Sequence, residues 1–349
     1  MGFQSIAAAT TFMLKPETWK DAVLPDDKPV LVVIVDTEEE FDWAQPLAPG
    51  NTAVSAMRAQ HRAHRIFGKF GIRPTYVLDY PVASQPEGSR PLAELQADGL
   101  CDIGAHLHPW VNPPHDEPVC NFNSYPGNLP PALERAKLAR LGEAIEAAFG
   151  RRPTVYKAGR YGVGAATTGI LEELGYLVDT SVLSQTDLRP REGPDFSACG
   201  PGPYWFGRNR RLLEVPMTVG FAGLLRGHGR SLYAAAASPA GMRMHVPGIL
   251  ARTNLLERIT LTPEGVSHDE HRRLTAALLA AGNRVFSFTY HSPSLAPGHT
   301  PYVRNEAELG RFLDQFERYF DYFFGELGGR TATARELRDS LAATTPDGY

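Results

Sequence analysis

The fold is decided by the stretch PVLVVIVDT, residues 29–37. Valine, leucine and isoleucine follow one another here without the alternation of apolar and polar residues that marks a strand buried on one face. Such a run is typical of a strand that is buried on both faces of a parallel sheet. Parallel strands are joined by crossover connections, so we expect a helix directly after it.

Helices and strands alternate through most of the remaining chain. Apolar residues recur at helical spacing over 53–70, Gly71 is expected to end that helix, and GIRPTYVLDY (71–80) opens a second strand. Further strands are predicted in CDIGAHLH (101–108), TVYKAGRYG (154–162), YLVDTSV (176–182) and RVFSFTYH (284–291), and further helices in PLAELQADG (91–99), 132–149 and GAATTGILEELG (164–175). This order predicts an α/β fold in which helices surround a parallel sheet, either an open doubly wound sheet or a (β/α) barrel.

Residues 29–330 are expected to form one domain, with an N-terminal extension (1–28) before it and a C-terminal helix and tail (331–349) after it. The region at about 184–266 breaks the alternation, because it is rich in Gly, Pro and Arg and has one clear strand, LLEVPMTV (212–219). We interpret this region as a long insertion that packs on the domain.

Two later helices have recognisable beginnings. Ser267 and Glu270 have the spacing of a capping box, which predicts a helix that runs to Gly282. Asn305 is the expected N-cap of an amphipathic helix whose apolar side faces the core.

Composition argues against several classes of protein. The chain has 349 residues, 43% of them hydrophobic and 21% charged, as in a compact globular protein. Its formal net charge of −4 and the lack of a long basic block argue against a nucleic-acid partner and against a polybasic segment for membrane surfaces. The cysteines, Cys101, Cys120 and Cys199, are too widely spaced for a disulfide framework or a cysteine zinc cluster. The sequence shows neither a signal peptide nor the roughly 20 apolar residues of a membrane span, so we expect a cytoplasmic protein.

Polar residues collect where four predicted strands end. The segments are VDTEEEFDW (35–43), GAHLHPW (104–110), KAGRYG (157–162) and TYHSPS (289–294). In parallel α/β folds the active site lies at the carboxyl ends of the strands. We therefore expect these segments to converge on one rim.

Two pairs of side chains in these segments have the spacing of metal ligands. Side chains alternate along a strand, so His106 and His108 share a face with Cα atoms about 6.6 Å apart. Two imidazoles so placed can bind one metal ion, at about 2.0–2.1 Å for each Zn–N bond. Asp36 and Glu38 share a face for the same reason, and a buried carboxylate is costly unless it is paired or ligates a metal. The alternative for the two histidines is that one lies in the core and the other on the surface. The alternative for the acidic residues is that they belong to a solvated loop.

The remaining two segments contain candidates for proton transfer and for oxyanion binding. His291 ends an apolar strand before a Ser-Pro turn, where an imidazole can act as an acid or a base. Arg160 can orient a carboxylate or form a structural ion pair, and the backbone N–H at Tyr161 can face an oxyanion.

With these motifs in this order, the chain resembles the polysaccharide deacetylase family, also called the NodB-homology or carbohydrate esterase 4-like family, and within it the WalW-type branch. The resemblance covers roughly residues 29–330. It implies a distorted (β/α)₇ barrel and a bound divalent metal, with zinc as the expected ion. The roles it implies are the base for Asp36, metal ligation for His106 and His108, the groove and oxyanion motif for Arg160 and Tyr161, and the general acid for His291.

The sequence departs from the usual motifs of that family at three places. Thr37 occupies the position of the second aspartate of TFDDG, so the metal carboxylate is expected to be Glu38, or else Asp36. The two histidines are spaced HxH instead of HxxxH, and the segment GRYG (159–162) lacks the family's proline.

The function implied is hydrolysis of an N-acetylated sugar or a related amide by metal-activated water, with release of the acyl group. A small-molecule or carbohydrate substrate fits the charge balance, and a homo-oligomer is left open. Three alternatives remain: a glycoside hydrolase that uses Asp36 with Glu38, Asp42 or Asp179, a metal-free cyclic-amide hydrolase of the allantoinase-like branch, and a barrel that binds sugars without turnover. The last would stack sugar rings on Trp43, Trp110, Tyr204 and Trp205.

Overall fold

The computed structural model describes residue 15, residues 18–208 and residues 210–344. Part of the predicted N-terminal extension and the end of the predicted tail lie outside the described residues. None of the described helices has the length and apolar character needed to cross a membrane.

The secondary structure alternates as the sequence predicts over most of its length. The strands are β1 (Lys20–Asp21), β2 (Val30–Thr37), β3 (Thr75–Leu78), β4 (Asp102–Leu107), β5 (Val155–Ala158), β6 (Val178–Asp179), β7 (Tyr204–Phe206), β8 (Leu212–Glu214), β9 (Val219–Ala222), β10 (Glu257–Thr260), β11 (Val285–His291) and β12 (Arg330–Thr331). The helices are α1 (His61–Phe70), α2 (Tyr80–Ser84), α3 (Pro86–Ala97), α4 (Pro131–Phe149), α5 (Thr167–Leu174), α6 (Gly229–Ala236), α7 (Pro239–Arg243), α8 (Val246–Arg252), α9 (His268–Ala280), α10 (Glu306–Phe320) and α11 (Ala334–Thr344).

The main sheet is mostly parallel and strongly curled. Its order is β1-β7-β8-β6-β5-β4-β3-β2-β11, and β12 pairs with the start of β2. From β8 to β11 neighbouring strands run parallel, whereas β7 and β1 add antiparallel strands beside β8. The α/β class and the distorted (β/α) barrel predicted from the sequence are confirmed.

Side chains close the barrel where the ladder does not. Within the described chain no ladder joins β8 to β11. Instead, the Ser287 backbone N–H donates to Thr218 Oγ1 at 2.8 Å, and Ser287 Oγ donates to the Pro216 carbonyl at 2.9 Å. These bonds bring the segment after β8 against β11 and so close the barrel at this point.

The first parallel strand, β2, is buried on both faces, as its composition predicts. All eight of its residues are buried. Val30, Val32 and Ile34 point into the barrel, where they pack with valines of other strands and with α11. The alternate residues belong to the outer core that the surrounding helices cover. Each such valine or isoleucine stabilises the fold by roughly 1.5–3 kcal/mol through burial.

Several local signals act as predicted, and others do not. Gly71 ends α1 in the left-handed conformation at φ 64°, Ser267 and Glu270 form a capping box, and the Asn305 side chain caps α10. The helix predicted over 53–70 is instead a short 3₁₀ turn, Ser55–Ala59, followed by α1.

Two predicted strands are shorter than their apolar runs. The run YLVDTSV contributes only β6 to the sheet. The run LLEVPMTV is split into β8 and the start of β9, because Pro216 has no backbone N–H with which to continue a ladder.

Residues 184–266, interpreted as an insertion, contain two kinds of structure. β7 and β8 belong to the main sheet. β9 and β10 form a separate antiparallel pair, and the short helices α6, α7 and α8 lie between them. The division of the chain into domains stays a prediction.

Candidate metal centre

The polar ends of four strands converge on one cavity, as predicted from the usual position of active sites at the carboxyl ends of parallel strands. The cavity has a volume of about 810 Å³. All the site residues predicted from the sequence line it: Asp36, Glu38, His106, His108, Arg160, Tyr161 and His291. The fold therefore brings together residues that are as much as 255 positions apart, the separation of Asp36 and His291.

Strand alternation explains why these side chains meet. Val155 points into the barrel and Tyr156 out of it, so Lys157 points inward. In β4, Ile103, Ala105 and Leu107 belong to the outer core, which leaves His106 on the inner face. The same period of two places valines inside the barrel along the strands and ionisable groups inside it at the carboxyl ends of the strands.

Glu38, His106 and His108 form a compact group of potential ligands. Their ligand atoms all lie within 4.8 Å of one another, and all three residues are buried. Glu38 Oε2 is 3.5 Å from His108 Nε2 and 3.8 Å from His106 Nε2. Tetrahedral zinc bonds would place such atoms about 3.3 Å apart, close to the spacing observed.

Hydrogen bonds on the opposite ring nitrogens orient both imidazoles. His106 Nδ1 donates to the Lys157 carbonyl at 3.0 Å, and His108 Nδ1 donates to Glu39 Oε2 at 2.8 Å. Each ring is thereby held in the tautomer that leaves Nε2 as an acceptor facing Glu38. Burial lowers the pKa of both histidines, of His108 to about 4, so both rings are neutral, as metal ligation requires.

The Glu38 carboxylate has an unmet bonding requirement. Its Oε1 atom is buried and has no hydrogen-bond partner among the described residues. Burial raises the pKa of Glu38, even though the neighbouring His291 favours its charged form. A buried carboxylate beside two neutral Nε2 atoms forms the two-histidine, one-carboxylate donor set that suits a divalent ion. The residues present therefore fit a metal.

Glu39 is a site residue that the sequence reasoning missed. It is fully buried, and besides His108 it accepts a 2.7 Å hydrogen bond from Trp110 Nε1. Its own backbone N–H donates to Asp79 Oδ2 at 2.5 Å, while Asp79 Oδ1 caps helix α2 at Val82. Burial raises the pKa of Glu39 to about 7, although its hydrogen bond with Asp79 opposes that shift. Burial and the neighbouring Glu39 together raise the pKa of Asp79 well above its usual range.

Glu39, Asp79 and His108 also lie close enough to form a second ligand group. The hydrogen bonds of Asp79 with α2 and with the Glu39 backbone give that group a structural role. We therefore assign it to the support of His108. The signal available in the sequence was the second glutamate of EEE (38–40).

Asp36 is held by a lysine. Lys157 Nζ donates to both Asp36 oxygens at 2.6 Å, and both residues are buried. Burial alone raises the pKa of Asp36, but the Lys157 ammonium, with His291, outweighs it and lowers the pKa below its usual range. Asp36 is thus an ionised carboxylate at the edge of the group formed by Glu38 and the two histidines.

His291 is paired with an acid that lies in the region interpreted as an insertion. Its Nδ1 lies 2.7 Å from Glu264 Oε2, and its backbone N–H donates to Glu264 Oε1 at 3.1 Å. Ser294 Oγ donates to the same carboxylate at 2.6 Å. Although burial lowers it, the neighbouring carboxylates, Glu264 foremost, raise the pKa of His291 to about 10. Its Nε2 atom lies 3.8 Å from Asp36 Oδ2.

Arg160 and Tyr161 form a strained turn after β5. Both have positive φ angles, 53° and 62°, which non-glycine residues rarely adopt. Arg160 Nη1 donates to Asn121 Oδ1 at 2.9 Å, and its guanidinium stacks on Tyr125 at 4.4 Å from the ring centre. Gly159 before them has no room for a side chain, since a Cβ would lie 2.6 Å from His108 Cδ2.

Aromatic residues form one wall of the cavity. Phe41 and Trp43 stack at 5.6 Å between ring centres, and Trp43 meets His291 edge-on at 5.0 Å and Tyr302 at 5.6 Å. Trp43 and Tyr302 are each 39% exposed, so they are available to a ligand.

Most of the residues that a sugar-binding barrel or a glycoside hydrolase would use do not lie exposed in the cavity. Tyr204 and Trp205 are buried in β7, and Trp110 is buried against Glu39, so of the four proposed stacking aromatics only Trp43 is exposed. Asp179 is buried with Ser181, which donates to it at 2.6 Å, and it does not line the cavity. Asp42 is exposed and its side chain accepts a hydrogen bond from the Ala44 backbone.

Comparison with known proteins identifies the fold. No protein-family model and no curated protein matches the sequence. The structure of PuuE allantoinase is similar with a TM-score of 0.57 and 16% identity, over 94% of this chain and 95% of that protein. A probable polysaccharide deacetylase from Pseudomonas aeruginosa PAO1 is similar with a TM-score of 0.55 and 14% identity, over 94% and 96% of the two chains. At these identities the similarity establishes a shared fold.

Proposed function

We propose that this chain is a metal-dependent hydrolase that removes an acyl group, acetyl in particular, from an N-acetylated sugar or a related amide. One observation carries the proposal: Glu38, His106 and His108 present three convergent ligand atoms in a buried position, with both imidazoles oriented through their other nitrogen. Zinc is the ion we propose, because it is commonly bound by two histidines and a carboxylate with one position left open.

The metal would be held by Glu38, His106 and His108. When bound, a divalent ion in such a site polarises a carbonyl group and acidifies water. Glu39 would keep His108 in the correct tautomer, and the backbone carbonyl of Lys157 would do the same for His106.

Asp36 is the proposed general base. It is ionised near neutral pH because Lys157 lowers its pKa, and both of its oxygens are held in place by the lysine. Its position beside the three ligands allows it to accept a proton from the attacking water.

His291 is the proposed general acid. Glu264 keeps it protonated near neutral pH, since its pKa is raised to about 10. A protonated imidazole at the rim can donate its proton to the leaving amine nitrogen as the amide C–N bond breaks. The Tyr161 backbone is proposed to bind the oxyanion, and Arg160 to shape the groove.

The aromatic wall supports a carbohydrate substrate. Trp43 and Tyr302 are exposed aromatic residues that line the cavity, with Trp43 beside His291, and sugar rings can stack on such surfaces. The cavity volume of about 810 Å³ is within the range that holds a small molecule or a short glycan segment. The WalW-type branch and a cytoplasmic location remain part of the proposal.

The function is tested by measuring acetate release from N-acetylglucosamine oligomers. We expect release by protein reconstituted with zinc, loss of activity with a chelator, and recovery when zinc is restored. Hydrolysis of a cyclic amide that survives chelation would favour the metal-free alternative instead, and cleavage of a chromogenic glycoside would favour a glycoside hydrolase. Tight glycan binding without turnover would identify a binding protein.

A further inference from the structure

The surface of interest is a small helical cap, residues 223–256, which comprises α6, α7, α8 and the loops beside them. Its sequence contains four arginines and two histidines but no aspartate or glutamate. The whole chain carries a formal net charge of −4, so this segment opposes the charge of the rest of the molecule. The net charge of the whole chain does not reveal this local excess of positive charge.

The arginines of the cap are not paired with any acidic side chain among the described residues. Arg226, Arg230, Arg243 and Arg252 are all exposed, and none forms an ion pair with any described residue. Elsewhere on the surface, paired arginines are common. Arg135, for example, lies 2.6 Å from Glu173, and Arg272 lies 2.5 Å from Glu326.

Large aliphatic side chains project from the same cap. The exposed fraction is 74% for Leu224, 63% for Met244, 57% for Met242 and 52% for Ile249. A groove of about 350 Å³ runs among the three helices, and Ser238 is its one polar lining residue in the described chain. Soluble proteins rarely leave so many large apolar side chains together in water unless they have a partner.

We propose that the helical cap is a membrane-surface site that docks on an anionic lipid bilayer. Short helices that combine protruding leucine, methionine and isoleucine with arginine are suited to the boundary between acyl chains and headgroups. The aliphatic groups enter the acyl region while the guanidinium groups remain beside the lipid phosphates.

The cap is linked to the cavity wall through β10, the strand that follows it in the chain. Arg258 of β10 donates a hydrogen bond to Thr186 Oγ1, and Thr186 lies in the chain between Leu183 and Leu188, which line the cavity. Docking through the cap would therefore hold the rim of the cavity close to the bilayer.

Vesicle flotation tests this site without reference to hydrolysis. The purified full chain is mixed with vesicles of phosphatidylcholine, alone or with phosphatidylglycerol, at low and high salt. We expect binding to the anionic vesicles at low salt, and binding at least about tenfold weaker to the neutral vesicles or at high salt. The double variant Arg226→Gln/Arg230→Gln should bind about 25-fold more weakly, at roughly fivefold per arginine.

The variant Met242→Gln/Met244→Gln should also lose binding, since both side chains are exposed and their replacement leaves the core intact. Arg65→Gln and Leu100→Gln are matched controls at exposed positions outside the cap and should bind as the wild type does. Equal binding of the wild type and both cap variants would overturn the proposal. So would binding to poly-glutamate with none to vesicles, or a dimer that the methionine variant abolishes while no vesicle binds.

Discussion

Lys157 Nζ lies 2.6 Å from both carboxylate oxygens of Asp36, and the two residues form a buried ion pair inside the upper barrel. The lysine also supplies, through its carbonyl, the acceptor for His106 Nδ1. One residue of β5 thus links the proposed base to a proposed metal ligand.

Replacing Lys157 should impair the base without removing the metal. We expect Lys157→Met to lower kcat roughly 100-fold, because Asp36 loses the charge that holds it ionised and in place. Metal content should be unchanged, because the backbone carbonyl that orients His106 is retained. Removing one partner of a buried ion pair should also destabilise the fold by about 3–5 kcal/mol. Lys157→Arg should recover part of the activity, and full activity in Lys157→Met would contradict the role.

Glu39→Gln should weaken metal binding. The amide is a poorer acceptor for His108 Nδ1–H than the carboxylate, so zinc affinity should fall about 10–100-fold in competition with a chromogenic chelator. Glu40→Gln is the matched control, because Glu40 accepts from Ala56 N and Ser55 Oγ and does not contact either metal-site histidine. An unchanged affinity in Glu39→Gln would remove its supporting role.

Glu264→Gln should change the pH dependence of hydrolysis. Glu264 is the foremost cause of the raised pKa of His291, about 10, so its neutralisation should lower that pKa. A general acid must be protonated, so the basic limb of the kcat/KM profile should shift to lower pH. The variant should therefore lose activity at a lower pH than the wild type does. Glu257→Gln, an exchange at a glutamate paired with Arg273, is the control. A basic limb that does not move would show that His291 is not the acid.

The closure of the barrel can be tested separately. Thr218→Val leaves the buried Ser287 N–H without its acceptor, which should lower the free energy of unfolding by about 1–3 kcal/mol in urea titration. Thr253→Val, at an exposed position, should have a small effect. Equal stability of the two variants would show that this bond does not help to close the barrel.

The sequence was most informative where periodicity and strand ends coincide. The run of residues 29–37 predicted a strand buried on both faces, and alternation placed Asp36, Glu38, His106 and His108 toward a common point, where the structure has them. These inferences need only the local geometry of a strand.

Partners from distant segments were not predictable in the same way. Glu264 lies in a region without periodicity, and only the fold brings it to His291. The sequence predicts only that Lys157 belongs to a strand, and nothing in the local sequence indicates that its side chain faces Asp36. Glu39 looked like one acid among three, although the backbone turns after β2 and carries its side chain to His108. The charge of the helical cap was hidden in a whole-chain average.

Metal content per chain tests the central claim most directly. The wild type, His106→Ala/His108→Ala and the exposed-histidine control His115→Ala are purified without chelator or nickel resin and measured by inductively coupled plasma mass spectrometry. We predict close to one divalent ion per chain, zinc foremost, in the wild type and the control, and its loss in the double variant. No ion in the wild type after reconstitution with zinc, or the same content in all three proteins, would contradict the account.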